Sequence, residues 1–403
     1  MKNVAIVAEY NPFHTGHAYQ IQRIREEFGA DATVIALMSG TFVQRGDIAV
    51  ADKWVRAEAA VRGGVDLVLE LPFPYSMAGA EFYATAAVCL LRAIGGIDVL
   101  SFGSESGDLP LLLRTAENMQ SDAFRASLRA ALKENREGGY AKTTEDVYRS
   151  VFSEEMCDGL FRPNNILALE YLKALAAQGD ALRPHTVKRE GADYTESGIV
   201  AAGHQSATAI RGALKAGDLS ALSYLPEAAA HTYRAAIRDG VCPADAERLS
   251  PAILSFFRLN PTPTVRDLCD ATGGLYTRLA KKSREATGIH SLATLSETKK
   301  YTNARIRRVM WFSFFGVTSS EVSAPPSYTQ VLALNGRGQS FLKAAKRTAT
   351  IPILTKPSAL RDLPPEAIPG KRRADVADEV AESAMPKPRA ATALLRHTPF
   401  LEK

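Results

Sequence analysis

Between Asn3 and Gly103 the chain alternates between short apolar runs and helix-patterned stretches, and this rhythm limits the possible folds more than any other feature. Asn3–Glu9, Ala32–Met38, Asp66–Leu71 and Ile97–Gly103 read as strands. Gly16–Phe28, Asp52–Arg62 (capped by Asp52) and Gly79–Ile94 read as the helices between them. Strands this continuously apolar need cover on both faces, the mark of a parallel sheet. Parallel neighbours need crossovers, and right-handed helical crossovers make the unit a doubly wound α/β domain. Such sheets bind ligands outside the carboxyl ends of their strands. The site is therefore expected among Glu9–His17, Met38–Gly46, Leu71–Tyr75 and Gly103–Gly107.

The rest of the chain reads differently. Leu109–Gly179 is helical in pattern, with Pro163–Asn165 as an interruption, followed by a strand near His185–Lys188 and a helix at Ser206–Lys215. Beyond Asp218 the pattern predicts helices at Tyr224–Gly240, Ala246–Leu259, Val265–Ala271, Tyr276–Ala286, Ser291–Thr298 and Asn303–Phe315. From Pro357 onward Pro, Lys and Ala dominate, as in a loosely held tail with one helix at Ala374–Ala384. This divides the chain into an α/β domain at 1–220, a mainly α-helical domain at 221–356 and a tail at 357–403.

At 403 residues, 46% hydrophobic and 23% charged, the chain has the make-up of a soluble globular protein. No apolar run approaches the roughly 20 residues of a membrane span. Glu9 interrupts the start before a signal-peptide core can form, so a cytoplasmic protein without a membrane partner is expected. Cys89, Cys157, Cys242 and Cys269 are too scattered for a zinc site and are expected to be reduced. The net charge of +5 is localised: Lys281–Arg308 holds eight Lys/Arg against Glu285 and Glu297, so the remainder is close to neutral. A basic segment on a neutral body suggests an anionic partner, or else a solvated helical face.

Chemistry centres on Asn11-Pro-Phe-His-Thr-Gly-His17, which joins the first strand to the first helix. Gly16 lets backbone approach a phosphate closely, and the helix N-terminus offers free N–H groups and partial positive charge. His14 and His17, three residues apart, can then donate hydrogen bonds to phosphate oxygens as charge builds during in-line attack. The chain has neither a Walker A sequence nor GxGxxG, so a P-loop or dinucleotide site is excluded.

The HxGH signature on such a sheet resembles the nucleotidylyltransferase superfamily (the HUP-type fold). A longer series resembles the tRNA(Met) cytidine acetate ligases: EYNPFHTGH, MSGTFVQRGD, KW-RA, GVDLVLELP, FGSE, RPNNILALEYL and SATAIR, in order through residues 1–215, with Lys299–Arg308 extending it. The resemblance implies that ATP and acetate form acetyl-adenylate. The acetyl group then passes to N4 of the wobble cytidine of elongator tRNA(Met). It also implies an ATP site made of Val7, Ala8, Glu9, Tyr10, Asn11, Pro12, Phe13, His14, Thr15, Gly16, His17, Ala18, Tyr19 and Gln20, with Gly103, Asn165 (or Asn164) and Arg189 (or Lys188). Around Arg189 the sequence KREGADY departs from the family pattern at Glu190.

The other blocks fit beside it. Ser206 and Thr208 open a helix and Arg211 follows, so a second helix N-terminus and a guanidinium could grip the triphosphate; the plainer reading is an ordinary Ser N-cap. Arg45, in the Met38–Gly46 loop, could meet substrate, or Gly40 and Gly46 could simply make turns. Lys53 and Arg56 read as phosphate contacts or as a solvated face. Lys299, Lys300, Arg305 and Arg308 would neutralise RNA phosphates, with Tyr301 as a stacking ring. Magnesium is expected on the phosphates, although no paired carboxylates present themselves and no metal ligand is assigned. Two other readings compete: a small-molecule nucleotidylyltransferase that adenylates a phosphate-bearing metabolite, and a non-catalytic RNA-binding module. The basic segment argues against the first, and the intact His14/Gly16/His17 set against the second.

Overall fold

The computed structural model describes residues 1–134, 139–153, 159–179, 182–189 and 205–402. Strand β1 (Asn3–Ala8) leads into α1 (Thr15–Phe28) and β2 (Thr33–Ser39). A two-stranded hairpin, β3 (Phe42–Val43) with β4 (Asp47–Ile48), precedes α2 (Lys53–Arg62), whose first turn is capped by the Asp52 carboxylate on Val55 N–H at 2.9 Å. Then come β5 (Leu67–Leu71), α3 (Ala80–Ile94) and β6 (Val99–Ser104). Helices α4 (Leu109–Gln120), α5 (Asp122–Glu134), α6 (Tyr140–Val151) and α7 (Pro163–Ala177) lead to β7 (Arg183–Lys188). Pro163 starts α7 where the sequence reading has an interruption. Proline suits the first helical position because its missing N–H would have no partner there.

After α8 (Ala207–Lys215) the chain is helical through α9 (Glu227–Asp239), α10 (Ser250–Leu259), α11 (Leu275–Lys282), α12 (Ile289–Ser296), α13 (Asn303–Phe315) and α14 (Ser319–Ser323). It then returns to the sheet through β8 (Thr329–Leu334), α15 (Gly336–Ala345), β9 (Ile353–Leu354), α16 (Ile368–Glu382) and β10 (Phe400–Leu401). The helix expected at Val265–Ala271 is absent. Cys269 N–H instead bonds the Val317 carbonyl at 3.0 Å and Asp270 takes a left-handed φ of +59°. Seven residues of helical pattern yield to a long-range backbone contact.

The sheet runs β10-β8-β5-β2-β1-β6-β7, with β9 paired to β8. From β5 to β7 every pair is parallel, as the alternation predicts, and Ile6 stands opposite both Ala36 and Ser101. That register brings the carboxyl ends of β1, β2 and β6 to one edge. One sheet face packs on α3, α4, α7 and α15, the other on α1, α2 and α9. A third core joins α10–α13 and α16 to Phe42, Ile48, Phe73 and Met77 of the α/β half.

Two expectations need correcting. Strand β8 adds antiparallel to β5, inside the stretch read as mainly helical and given no strand. Its run TQVLAL is short enough to be absorbed into helical neighbours, and only the vacant edge of β5 makes it a strand. The segment from Pro357 is likewise packed down. Ala374, Ala377 and Ala381 of α16 are buried, and Asp378 meets Lys53 at 2.7 Å. Arg389 bonds both Asp52 and Glu382 at 2.7 Å, and β10 pairs with β8. A composition that looks like a linker supplies small side chains for close packing and charges for partners three hundred residues away.

Candidate active site

The site starts where β1 runs out. Tyr10 turns the chain with a left-handed φ of +45°. Tyr10 and Phe13 are buried, with ring centroids 5.0 Å apart, and Phe13 lies so close to Gly63 that a Cβ there would strike the ring. The Asn11 Oδ1 accepts the Val50 N–H at 2.8 Å. Tyr10–Phe13 is thus a rigid base on which the first turn of α1 stands.

His14 caps α1: its Nδ1 accepts the Gly16 N–H at 3.0 Å, and His17 Nδ1 accepts the His14 N–H at 3.2 Å. Two backbone donors at the helix start are therefore satisfied by imidazole nitrogens. A neutral imidazole that accepts at Nδ1 carries its proton on Nε2. Each ring is thereby set as an Nε2–H donor, with centroids 3.9 Å apart and planes tilted by 34°. Burial, then His14, then the Arg189 guanidinium hold the His17 pKa well below its usual 6.5. At neutral pH His17 is a hydrogen-bond donor and not a cation.

These rings open onto a cavity that Gly16, Tyr19 and Gln20 of α1 share with Gly103 at the end of β6. Lys188 and Arg189 at the end of β7 and the buried Gln205 before α8 complete it. The Arg189 N–H bonds the Ser104 carbonyl at 2.9 Å, which extends the ladder one residue past β7. A Cβ on Gly103 would press on the Arg189 side chain at 3.3 Å, so glycine keeps the wall thin here. The cavity offers neutral and cationic donors, a set suited to a polyphosphate. Among the described residues no carboxylate lines it, and no three His, Cys, Asp or Glu gather as a metal site. The described donors alone do not fit a protein-held Mg2+.

The remaining expected residues take supporting positions. Val7 and Ala8 end β1, while Glu9 accepts the Gln44 N–H at 3.0 Å; Pro12 is buried, and Thr15 and Ala18 are half-buried on α1 outside the cavity lining. Ser206 caps its own helix by accepting the Ala209 N–H at 3.1 Å. Arg211 donates to the Asn11 carbonyl at 2.7 Å and to Thr208 Oγ1 at 3.1 Å, and so ties α8 to the histidine loop. Asn165 Oδ1 accepts from Glu105 N–H at 2.9 Å and Ser106 N–H at 3.3 Å, while the Glu105 carboxylate accepts from Asn164 and Asn165 N–H at 3.0 and 2.7 Å. That reciprocal clasp holds the loop after Gly103 against α7. Gln205 was not foreseen; its only sequence signal is its place directly before the N-cap Ser206.

Lys53 and Arg56 are neither phosphate ligands nor a solvated face. Lys53 is buried between Glu70 at 2.8 Å and Asp378 at 2.7 Å. Arg56, fully buried, bonds the carbonyls of Glu9, Ser39, Gly40 and Ala51. The Met38–Gly46 loop docks on α13: Trp311 Nε1 donates to the Gly46 carbonyl at 3.1 Å, and a Cβ at Gly46 (φ +72°) would meet the backbone of Arg307–Arg308. Arg45 does not line the histidine cavity.

Lys299, Lys300, Arg305 and Arg308 share a second, larger groove of about 1120 Å³ between the two halves. Arg305 and Arg308 both pair with Asp270, at 3.0 and 2.9 Å. Among the described residues no carboxylate pairs with Lys299 or Lys300. Tyr301 departs from expectation. It is only 7% exposed, its hydroxyl bonds the Gly273 carbonyl, and Lys300 and Arg305 lie over its ring at 5.4 and 5.5 Å. The ring is a prop for two cations and is not open for base stacking.

The histidine pair at the first helix N-terminus of a doubly wound sheet, beside Lys188 and Arg189, lies within the span 1–386 that matches the HIGH Nucleotidyl Transferase family. The resemblance to more particular relatives is just as extensive. The chain is 34% identical over 365 residues to the tRNA(Met) cytidine acetate ligase of Thermoanaerobacter sp. (strain X514), covering 89% of this chain and 90% of that one. It is 32% identical over 408 residues to the protein of the same name from Anoxybacillus flavithermus (strain DSM 21510 / WK1), covering 98% of each. A crystal structure of Thermotoga maritima TmcAL bound with alpha-thio ATP superposes with a TM-score of 0.90 at 30% identity over the full length of both chains. The chain belongs to the tRNA(Met) cytidine acetate ligase family.

Proposed function

We propose that this chain uses ATP to activate acetate as acetyl-adenylate and transfers the acetyl group to N4 of the wobble cytidine of elongator tRNA(Met), giving N4-acetylcytidine. The observation that carries this reading is the pair of neutral Nε2–H donors, His14 and His17, fixed at a helix N-terminus in a cavity shared with Lys188 and Arg189.

In the first half-reaction an acetate oxygen bonds the α-phosphorus as the bond to the bridging oxygen breaks and pyrophosphate leaves. His14 and His17 donate to the phosphate oxygens as charge grows, and the N-terminus of α1 adds its partial positive charge. Lys188 and Arg189 neutralise the departing pyrophosphate, while Gly103 leaves room for the nucleoside. The other members of the 7–20 segment, with Asn165, Ser206, Thr208 and Arg211, hold the loops that shape this site. In the second half-reaction the cytidine amine bonds the acetyl carbon, AMP leaves and the nitrogen gives up a proton. Positioning carries both steps, so no covalent enzyme intermediate is needed. Magnesium, where it accompanies ATP, would be held by the phosphates and water.

Lys299, Lys300, Arg305 and Arg308 supply the RNA footprint, and 1–220 and 221–356 divide the labour, with 357–403 bracing them. No described helix is long and apolar enough to cross a membrane, and a tRNA substrate supports a cytoplasmic location. Pyrophosphate release measured with and without acetate, followed by acetyl transfer to a tRNA(Met) transcript, tests the reading. Release that ignores acetate would instead favour transfer of the nucleotidyl group to another acceptor.

A further inference from the structure

The groove that carries Lys299 and Lys300 also has two exposed aromatic rings to which no role has been given. Phe82, in the first turn of α3, is 39% exposed, and Tyr140, first residue of α6, is 57% exposed. Both line the groove. Two such rings in one groove, beside a run of cations, give it flat apolar surface as well as charge. Of the three carboxylates that line the groove, Asp270 is met by Arg305 and Arg308 and Glu170 by Lys173 at 2.7 Å, while Glu81 has no ion pair among the described residues. Lys299 and Lys300 keep their charge for a partner, so the groove suits a polyanion with flat apolar surfaces. Single-stranded RNA has that chemistry, since its bases stack on aromatic side chains while lysines follow the phosphates.

Helix α7 links the groove to the loop that follows Gly103. Ile166, Leu169 and Glu170 of α7 line the groove, and the residue before Ile166 is Asn165, whose amide clasps the loop that follows Gly103. An RNA loop lying in the groove therefore passes the turn of α7 that holds the loop after Gly103. Delivering one base into the histidine cavity breaks its stacking on its neighbours, and this loss must be offset.

The geometry points to Phe82 and Tyr140 as a stacking platform for the unpaired bases flanking the target cytidine, in the role that Tyr301 is too buried to fill. This rests on the proposed tRNA substrate.

The test uses the full chain and an elongator tRNA(Met) transcript. Phe82→Ala and Tyr140→Ala should each weaken transcript binding about 5- to 150-fold, the range for one lost base–ring stack. The slope of log affinity against log salt should stay at the wild-type value, because no charge is removed. Tyr140→Phe should bind as wild type, and acetate-dependent ATP–pyrophosphate exchange should be unchanged in all three. Trp54 and Trp311 are buried, so Tyr140→Trp adds an exposed fluorophore that stacking should quench on titration with the transcript. Unchanged affinity in both alanine variants, or no quenching at saturation, overturns the platform. An altered salt slope, or weak binding by Tyr140→Phe, would show another role and overturns it as well. If the wild type binds the transcript and Tyr140→Trp is quenched by it, but the wild type transfers no acetyl group, the platform stands and the proposed reaction falls.

Discussion

Replacing His17 with alanine separates the two tasks that the structure gives one ring. Its Nδ1 accepts the His14 N–H at 3.2 Å, and its Nε2–H is a donor at the cavity. Loss of the acceptor leaves one helix-start N–H to water, with a cost to folding of about 1 kcal/mol, typical of a lost N-cap. Loss of the donor removes one preorganised hydrogen bond to developing phosphate charge, worth about 2.7–4 kcal/mol, or roughly 10²–10³ in rate. The two costs differ enough to be read apart: thermal or urea unfolding should show a small shift, and acetate-dependent ATP–pyrophosphate exchange a large loss. The pH dependence follows from the same geometry. Protonated His17 has no lone pair for the His14 N–H, and its folded-state pKa lies well below 6.5. Between that depressed value and 6.5 the unfolded chain binds the extra proton, so stability rises with pH across this window and is flat above it. Exchange should likewise not vary with His17 ionisation from pH 7 to 8, and should fall only well below 6.5. Wild-type exchange in a folded His17→Ala variant would refute the assignment.

Three further perturbations follow from the packing. Lys53→Met strands the Glu70 and Asp378 carboxylates in the interior and should destabilise the protein by about 3–5 kcal/mol in denaturant titration; a loss under about 1 kcal/mol would mean the triad is not an ionic lock. Arg211→Lys cannot hold Asn11 and Thr208 together, so exchange should fall on the order of 10–10²-fold with little change in unfolding midpoint; unaltered kinetics would show that α8 does not position the histidine loop. Lys299→Glu with Lys300→Glu should weaken tRNA binding and flatten its salt slope by roughly 0.7–0.9 per lost phosphate contact, while exchange persists. An unchanged slope would move the RNA elsewhere. These lysines are a cleaner choice than Arg305 or Arg308, whose replacement also frees Asp270.

The amino-acid sequence by itself determined what depends on neighbours along the chain. Apolar runs of strand length separated by helices require a parallel sheet covered on both faces, and HxGH placed after the first strand puts both imidazoles at a helix start. Asn303–Phe315 is a helix with the bounds its pattern predicts. Tertiary structure decided whatever depends on partners far away. Whether Lys53 and Arg56 meet phosphate or solvent was open locally, and Asp378 together with the carbonyls of Glu9 and Gly40 answers it. Tyr301 sits in a basic stretch that suits RNA, but Gly273 and two cations enclose its ring. The segment after Pro357 resembles a tail until Asp52 and Lys53 supply counter-charges for Arg389 and Asp378, and β8 supplies an edge for β10. The histidine tautomers are fixed only by which backbone N–H each Nδ1 meets. Periodicity encodes which face of an element is apolar. Which buried charge, ring or strand edge it will meet is set when segments hundreds of residues apart desolvate one another.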